Sequence, residues 1–115
     1  MASNFSRDEI PPGTLDMLIL KTLAEEGEMH GFEIAESIQK RSSNVLQVEE
    51  GSLYPALQRS LIKGWIVGEW SRTEENRRAR YYRLTATGRR QLEKEISAYR
   101  RVAQAISLVL NPTLT

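Results

Sequence analysis

Residues 49–66 read EEGSLYPALQRSLIKGWI, with Leu53, Leu57 and Leu61 at helical spacing, Tyr54 and Ile62 beside them, and Gly64 at the end. A glycine and a proline stand near the front of this helix. Proline forfeits nothing in a first turn, where the N–H groups lack acceptors; further in, it loses a bond and crowds the carbonyl four residues back. With Ser52 as N-cap, Pro55 falls in the first turn and is harmless. With a start nearer Glu49, the crowded carbonyl is that of Gly51 and a mild bend follows. In either case Gly51 permits close backbone approach, and the free N–H groups of a helix N-terminus suit a phosphate or a base edge.

Upstream, Thr14 offers an N-cap for LDMLILKTLAEEG. Leu15, Leu18, Ile19 and Leu23 form one apolar stripe there, and Met17, Leu20 and Ala24 a second. The spacing predicts a helix over 15–26 that is buried on two sides, once against its own core and once against a partner. Gly27 stops it. Phe32, Ile34, Ala35 and Ile38 predict a second helix over 31–41, and the short, β-branched VLQV at 45–48 predicts a small strand. MASNFSRDEIPP has little periodicity and two prolines, so residues 1–13 are expected to form a flexible arm, with Phe5 and Ile10 as its anchors.

Downstream of Gly64 the apolar period drops to two. WIVGEWS and ARYYRLT, joined by RTEENRR, predict a β-hairpin with a long arginine-rich tip and with Tyr82 and Leu84 facing the core. Trp65 and Trp70 fall on opposite faces of a regular strand, one for the core and the other for packing or for a planar effector. From Thr85 or Thr87 a helix then runs without a breaker to Leu110, and Pro112 follows it. Leu92, Ile96, Tyr99, Ala103, Ile106 and Leu110 are spaced alternately four and three apart, which is a heptad seam. Such a helix reaches about 35 Å, more than a three-helix core needs. Residues 88–110 are therefore expected to be a dimerisation helix and 111–115 a tail. The element order is that of a mainly α (α+β) winged helix-turn-helix over residues 14–87, whose third helix lies in a DNA major groove while the hairpin tip reaches flanking backbone or minor groove.

The 115 residues make one domain, small enough that a second chain would help it. They include no cysteine and one histidine, His30, which excludes disulfide frameworks, thiolate nucleophiles and Cys/His zinc sites. With no P-loop, no GxGxxG and no partner for that histidine, no enzyme site assembles, and no metal or cofactor is called for. His30 is expected to be hydrogen-bonded at the start of the second helix, capping it or touching a phosphate. The longest apolar run, Met17 to Leu20, falls far short of a membrane span, and no signal peptide pattern precedes it, so a soluble, cytoplasmic protein is expected. The net charge of +1 conceals a split. Four basic residues face ten acidic ones through Gly51, whereas from Arg72 onward ten basic residues face four acidic ones. That asymmetry suits a polyanion held on one face.

PGTLDMLILKTL, HGFEIAESI, VEEGSLYPALQRSLIKGWI and RRARYYRLTATGRRQL, in this order and spacing, closely resemble the PadR family of bacterial transcriptional regulators, over residues 12 to about 95. The resemblance moves the third helix's start towards Glu49. It implies a homodimeric winged-helix repressor on a pseudo-palindromic double-stranded DNA operator, released in several members by a small aromatic or hydrophobic effector. Ser52 and Tyr54 are then assigned to phosphates or base edges, Pro55 to a thymine methyl, Gln58 to adenine, and Arg59 to guanine or a phosphate. Arg77 and Arg78 lead the hairpin contacts. Arg80 and Arg83, on strand positions, either join them or pair with acidic neighbours. Tyr54 has an alternative as a core aromatic and Gln58 as a solvated helix residue, while Glu49 and Glu50 cap the helix or lower the affinity. The rival reading is a winged-helix protein-interaction module that binds no specific DNA, its acidic first half suited to a basic partner.

Overall fold

The computed structural model describes residues 10–111. Phe5, most of the expected arm and the tail from Pro112 lie outside the described residues. Four helices and a three-stranded antiparallel sheet follow one another as α1 (Leu15–Glu26), β1 (Met29–His30), α2 (Gly31–Arg41), α3 (Glu50–Ile62), β2 (Ile66–Arg72), β3 (Arg78–Leu84) and α4 (Ala86–Leu110). This is the expected winged helix-turn-helix with a long last helix.

α1 is the central element, packed by α2, α3, β3 and α4. Its two apolar stripes are both covered by the chain's own elements: Ile19, Leu20 and Leu23 are buried, Met17 nearly so, and Leu15, Leu18 and Ala24 pack around them. Leu15, Leu18 and Ala24 remain only half-buried. Ile34 and Ile38 of α2, Leu53, Ala56 and Leu57 of α3, Ile66 of β2, Tyr82 of β3 and Leu92 of α4 complete one apolar core.

The third strand is not where the apolar run VLQV placed it. At residues 45–48 only Leu46 forms an isolated bridge. Ser43 and Asn44 turn the chain with positive φ, and the N–H groups of Val45 and Leu46 donate to the carbonyl and hydroxyl of Ser42, so neither is free for a ladder. Leu46 and Val48 still pack on the core as loop residues. Instead Met29 and His30 pair with Tyr82 and Tyr81, giving the sheet order β1-β3-β2.

The hairpin root is locked to α4 by one threonine and one glycine. Thr85 caps α4: its Oγ1 accepts from the Gly88 N–H at 2.9 Å, and its hydroxyl lies 2.7 Å from the Gly64 carbonyl. The Thr85 N–H donates to the Trp65 carbonyl. A Cβ on Gly88 would collide with that same carbonyl, so α4 reaches the turn before β2 only because residue 88 has no side chain.

Candidate nucleic-acid interface

α3 starts at Glu50 with Glu49 as N-cap, so Pro55 lies inside the helix and the Gly51 carbonyl receives no N–H from it. The first helical bonds are those of the Ser52 and Leu53 N–H groups to the Glu49 carbonyl; those of Glu50 and Gly51 precede them and point out of the helix end. Glu49 makes no side-chain cap. Gly51 is exposed, its φ is not positive, and a Cβ there would meet nothing within 4 Å. Nothing among the described residues requires glycine at this position.

Leu53, Ala56, Leu57 and Ser60 turn inward, leaving Ser52, Tyr54, Pro55, Gln58 and Arg59 on the outer side. Tyr54 is not a core aromatic: it is 48% exposed and lies across the first turn of α2, with its phenol oxygen 3.0 Å from where a Cβ of Gly31 would stand. Arg59 is anchored to Asp16 of α1 at 2.9 Å, yet its side chain stays half exposed. His30 caps α2, its Nδ1 accepting from the Glu33 N–H while the Glu33 carboxylate accepts from the His30 N–H. The expected structural histidine is thus found, inside a reciprocal cap.

The hairpin, or wing, is hydrogen-bonded as far as its tip. Thr73 exchanges backbone bonds with Asn76 and Arg77 and accepts the Glu75 and Arg77 N–H groups on its hydroxyl. Asn76 takes a positive φ, and the Arg72 guanidinium donates to its carbonyl. Arg77 and Arg78 are exposed. Arg80 pairs across the ladder with Trp70, and Arg78 with Arg72. Among the described residues neither Arg80 nor Arg83 forms an ion pair, so the acidic pairing held open for them is absent. Trp65 packs on the core, while Trp70 is 58% exposed with Arg78 and Arg80 at its ring.

Tyr54 and the wing arginines Arg77, Arg78 and Arg80 line one cleft of about 1000 Å³, with Phe32 and Trp70. Gly51, Ser52, Pro55 and Arg59 border a second hollow of about 650 Å³ on the other flank of α3, together with Ile10 to Gly13. Gln58 lines neither. The wing cleft is not uniformly positive, because Glu33, Glu36, Glu74 and Glu75 share it. Tyr81, also in the cleft, has its phenol pKa pushed up first by desolvation and then by Glu33, Glu28 and Glu74. Sequence reasoning missed Phe32 as an outer residue, although it begins α2 beside His30 and Gly31, where a helix has turned little of its surface inward.

The heptad seam of α4 divides. Leu92 is buried and Ile96 packs on the chain's own core, so these two positions are used within the chain. Beyond them Tyr99, Ile106 and Leu110 are exposed and Ala103 is half-buried. Val102 and Val109 widen this bare face beyond the six positions that the heptad marks, while Leu108 is exposed on the opposite side of the helix. Among the described residues no helix is long and apolar enough to cross a membrane.

Residues 19–94 match the Transcriptional regulator PadR-like family. An uncharacterized protein of Lysinibacillus sphaericus is 30% identical over 104 residues, covering 90% of this chain and 94% of its own length. Among solved structures, a PadR family transcription regulator from Clostridium difficile R20291 is 30% identical with a TM-score of 0.72, covering 85% of this chain and 99% of that one. A transcriptional regulator from Clostridium thermocellum gives a TM-score of 0.75 at 26% identity, covering 83% and 91%. A PadR-like transcriptional regulator from Bacillus cereus gives 0.70 at 28% identity, covering 85% and 92%.

Proposed function

This chain belongs to the PadR-like family of transcriptional regulators, which are not enzymes, and from that membership we propose that it is a homodimeric repressor that binds a specific, pseudo-palindromic DNA site. The observation that carries the DNA reading is the shared cleft: a half-exposed tyrosine on α3 faces three arginines of the wing across it. α3 in a major groove presents Gly51, Ser52, Tyr54, Pro55 and Gln58 to bases and phosphates, and the wing brings Arg77, Arg78 and Arg80 to the adjoining backbone or minor groove. Bare Gly51 supports this, since a residue without a side chain in the first turn lets another backbone approach the free N–H groups closely. Arg59, held by Asp16, offers its remaining N–H groups in a fixed orientation.

The homodimer is supported by the distal half of α4, where Tyr99, Val102, Ile106, Val109 and Leu110 leave an apolar face that no other described residues cover. Two copies joined there carry two reading helices, so the site should be an inverted repeat with half-sites about one helical turn apart. The acidic residues of the wing cleft favour the other reading, a protein-interaction module with a basic partner. Selection of bound fragments from the source genome separates the two. The DNA reading expects enriched fragments that share an inverted repeat; fragments no more enriched than bulk DNA would leave the interaction module.

A further inference from the structure

An indole as bare as that of Trp70 is ordinary on a protein surface. Its company is not. The Arg78 guanidinium carbon stands 4.5 Å from the ring centroid and that of Arg80 stands 6.0 Å away, both within cation–π range. Arg80 is directly across the ladder from Trp70, and Arg78 is two pairs further towards the tip, hence on the same face. Gly68 completes the arrangement: a Cβ there would stand 2.7 Å from the Arg80 Nε, so the Arg80 stem lies over the space that a side chain at residue 68 would fill. That Nε is buried and has no hydrogen-bond partner, which marks the stem as placed by packing rather than by a polar contact.

Both arginines avoid the carboxylates around them. Glu33, Glu36, Glu74 and Glu75 line the same cleft, yet no ion pair joins any of them to Arg78 or Arg80 among the described residues. A guanidinium held against an aromatic face keeps its in-plane N–H donors free, whereas one held by a carboxylate has them already engaged. We infer that Trp70 is a positioning residue: its indole orders Arg78 and Arg80 in advance, so that the wing meets the phosphates of a duplex with two guanidinium groups already oriented. The inference rests on the DNA-binding reading above. Its physical content is entropic, because a side chain ordered before binding loses less freedom when it meets its partner.

The test is fluorescence anisotropy of the full chain with a labelled random-sequence duplex of about three helical turns, across a series of salt concentrations. Trp70→Ala should weaken binding about three- to tenfold and leave the salt slope unchanged, since no charge is removed. Trp70→Phe should recover most of the loss. In an Arg78→Ala, Arg80→Ala background, Trp70→Ala should change nothing further. In the free chain, the Arg78 δ-protons should show an upfield ring-current shift in the NMR spectrum that Trp70→Ala abolishes. An equal loss in both backgrounds would mean that the indole itself touches DNA, and would overturn the inference. So would an unchanged affinity in Trp70→Ala, or unshifted Arg78 protons in the unaltered chain. If the unaltered chain binds no duplex at all, the DNA-binding reading falls and takes the inference with it.

Discussion

Gly51 and Gly88 both stand in the first turn of a helix, and they are glycines for opposite reasons. A methyl group at Gly88 would drive into the Trp65 carbonyl and come within 2.8 Å of the Leu84 side chain, because α4 is docked there by the Thr85 cap. A methyl group at Gly51 would point into open space. Gly88 is explained by the chain's own packing; Gly51 has no such explanation among the described residues, and the proposed DNA contact supplies one. The same contrast separates the two blocks around them. In YYRLTATG, Tyr82, Thr85 and Gly88 turn inward to fasten the wing to α4, while in GSLYPALQ the residues between the buried Leu53, Ala56 and Leu57 turn outward.

Gly88→Ala should therefore be the most damaging change, destabilising the fold by about 3 kcal/mol or preventing it from forming, as thermal unfolding would show. Thr85→Ala removes the cap of the same joint and should cost about 1 kcal/mol. Outside that joint, Ile106→Asp should leave the fold intact and yield monomers in sedimentation, whereas Ile96→Asp should also lower stability, because Ile96 packs on the chain's own core. Tyr54→Ala and Gln58→Ala should each weaken operator binding by about tenfold with the dimer preserved. Gly51→Ala gives the smallest effect and the most telling sign: stability should hold or rise slightly, since the added methyl meets no described atom, while operator affinity falls. A rise in both would remove the case for close approach at that turn.

Most of the fold was legible because its signals are local. The apolar spacing of α1, α2 and α3 and the alternation of β2 and β3 each fall within one segment, and Gly27 and Gly64 end their helices with positive φ. The strand Met29–His30 was not legible, since two residues show no period and owe their pairing to Tyr81 and Tyr82, some fifty positions away in the chain. VLQV misled for the converse reason: its composition suits a strand, but the Ser42 turn takes the N–H groups that a ladder would need. A heptad seam shows that a face of α4 is apolar without showing what covers it, so Leu92 and Leu110 looked alike although one is buried and the other 71% exposed. At the site, Gly51 stood out in the sequence as a helix breaker in the wrong place. The anchoring of Arg59 by Asp16, 43 residues apart, had no local sign.

The most direct test sets the slope of log affinity against log salt for the unaltered chain beside that of an Arg77→Ala, Arg78→Ala variant. If these arginines meet phosphates while α3 reads the groove, affinity should fall steeply with salt in the unaltered chain, and the variant's slope should be shallower by about 1.8, from about 0.9 for each phosphate that is no longer neutralised. Parallel slopes would contradict a wing that grips DNA through its tip.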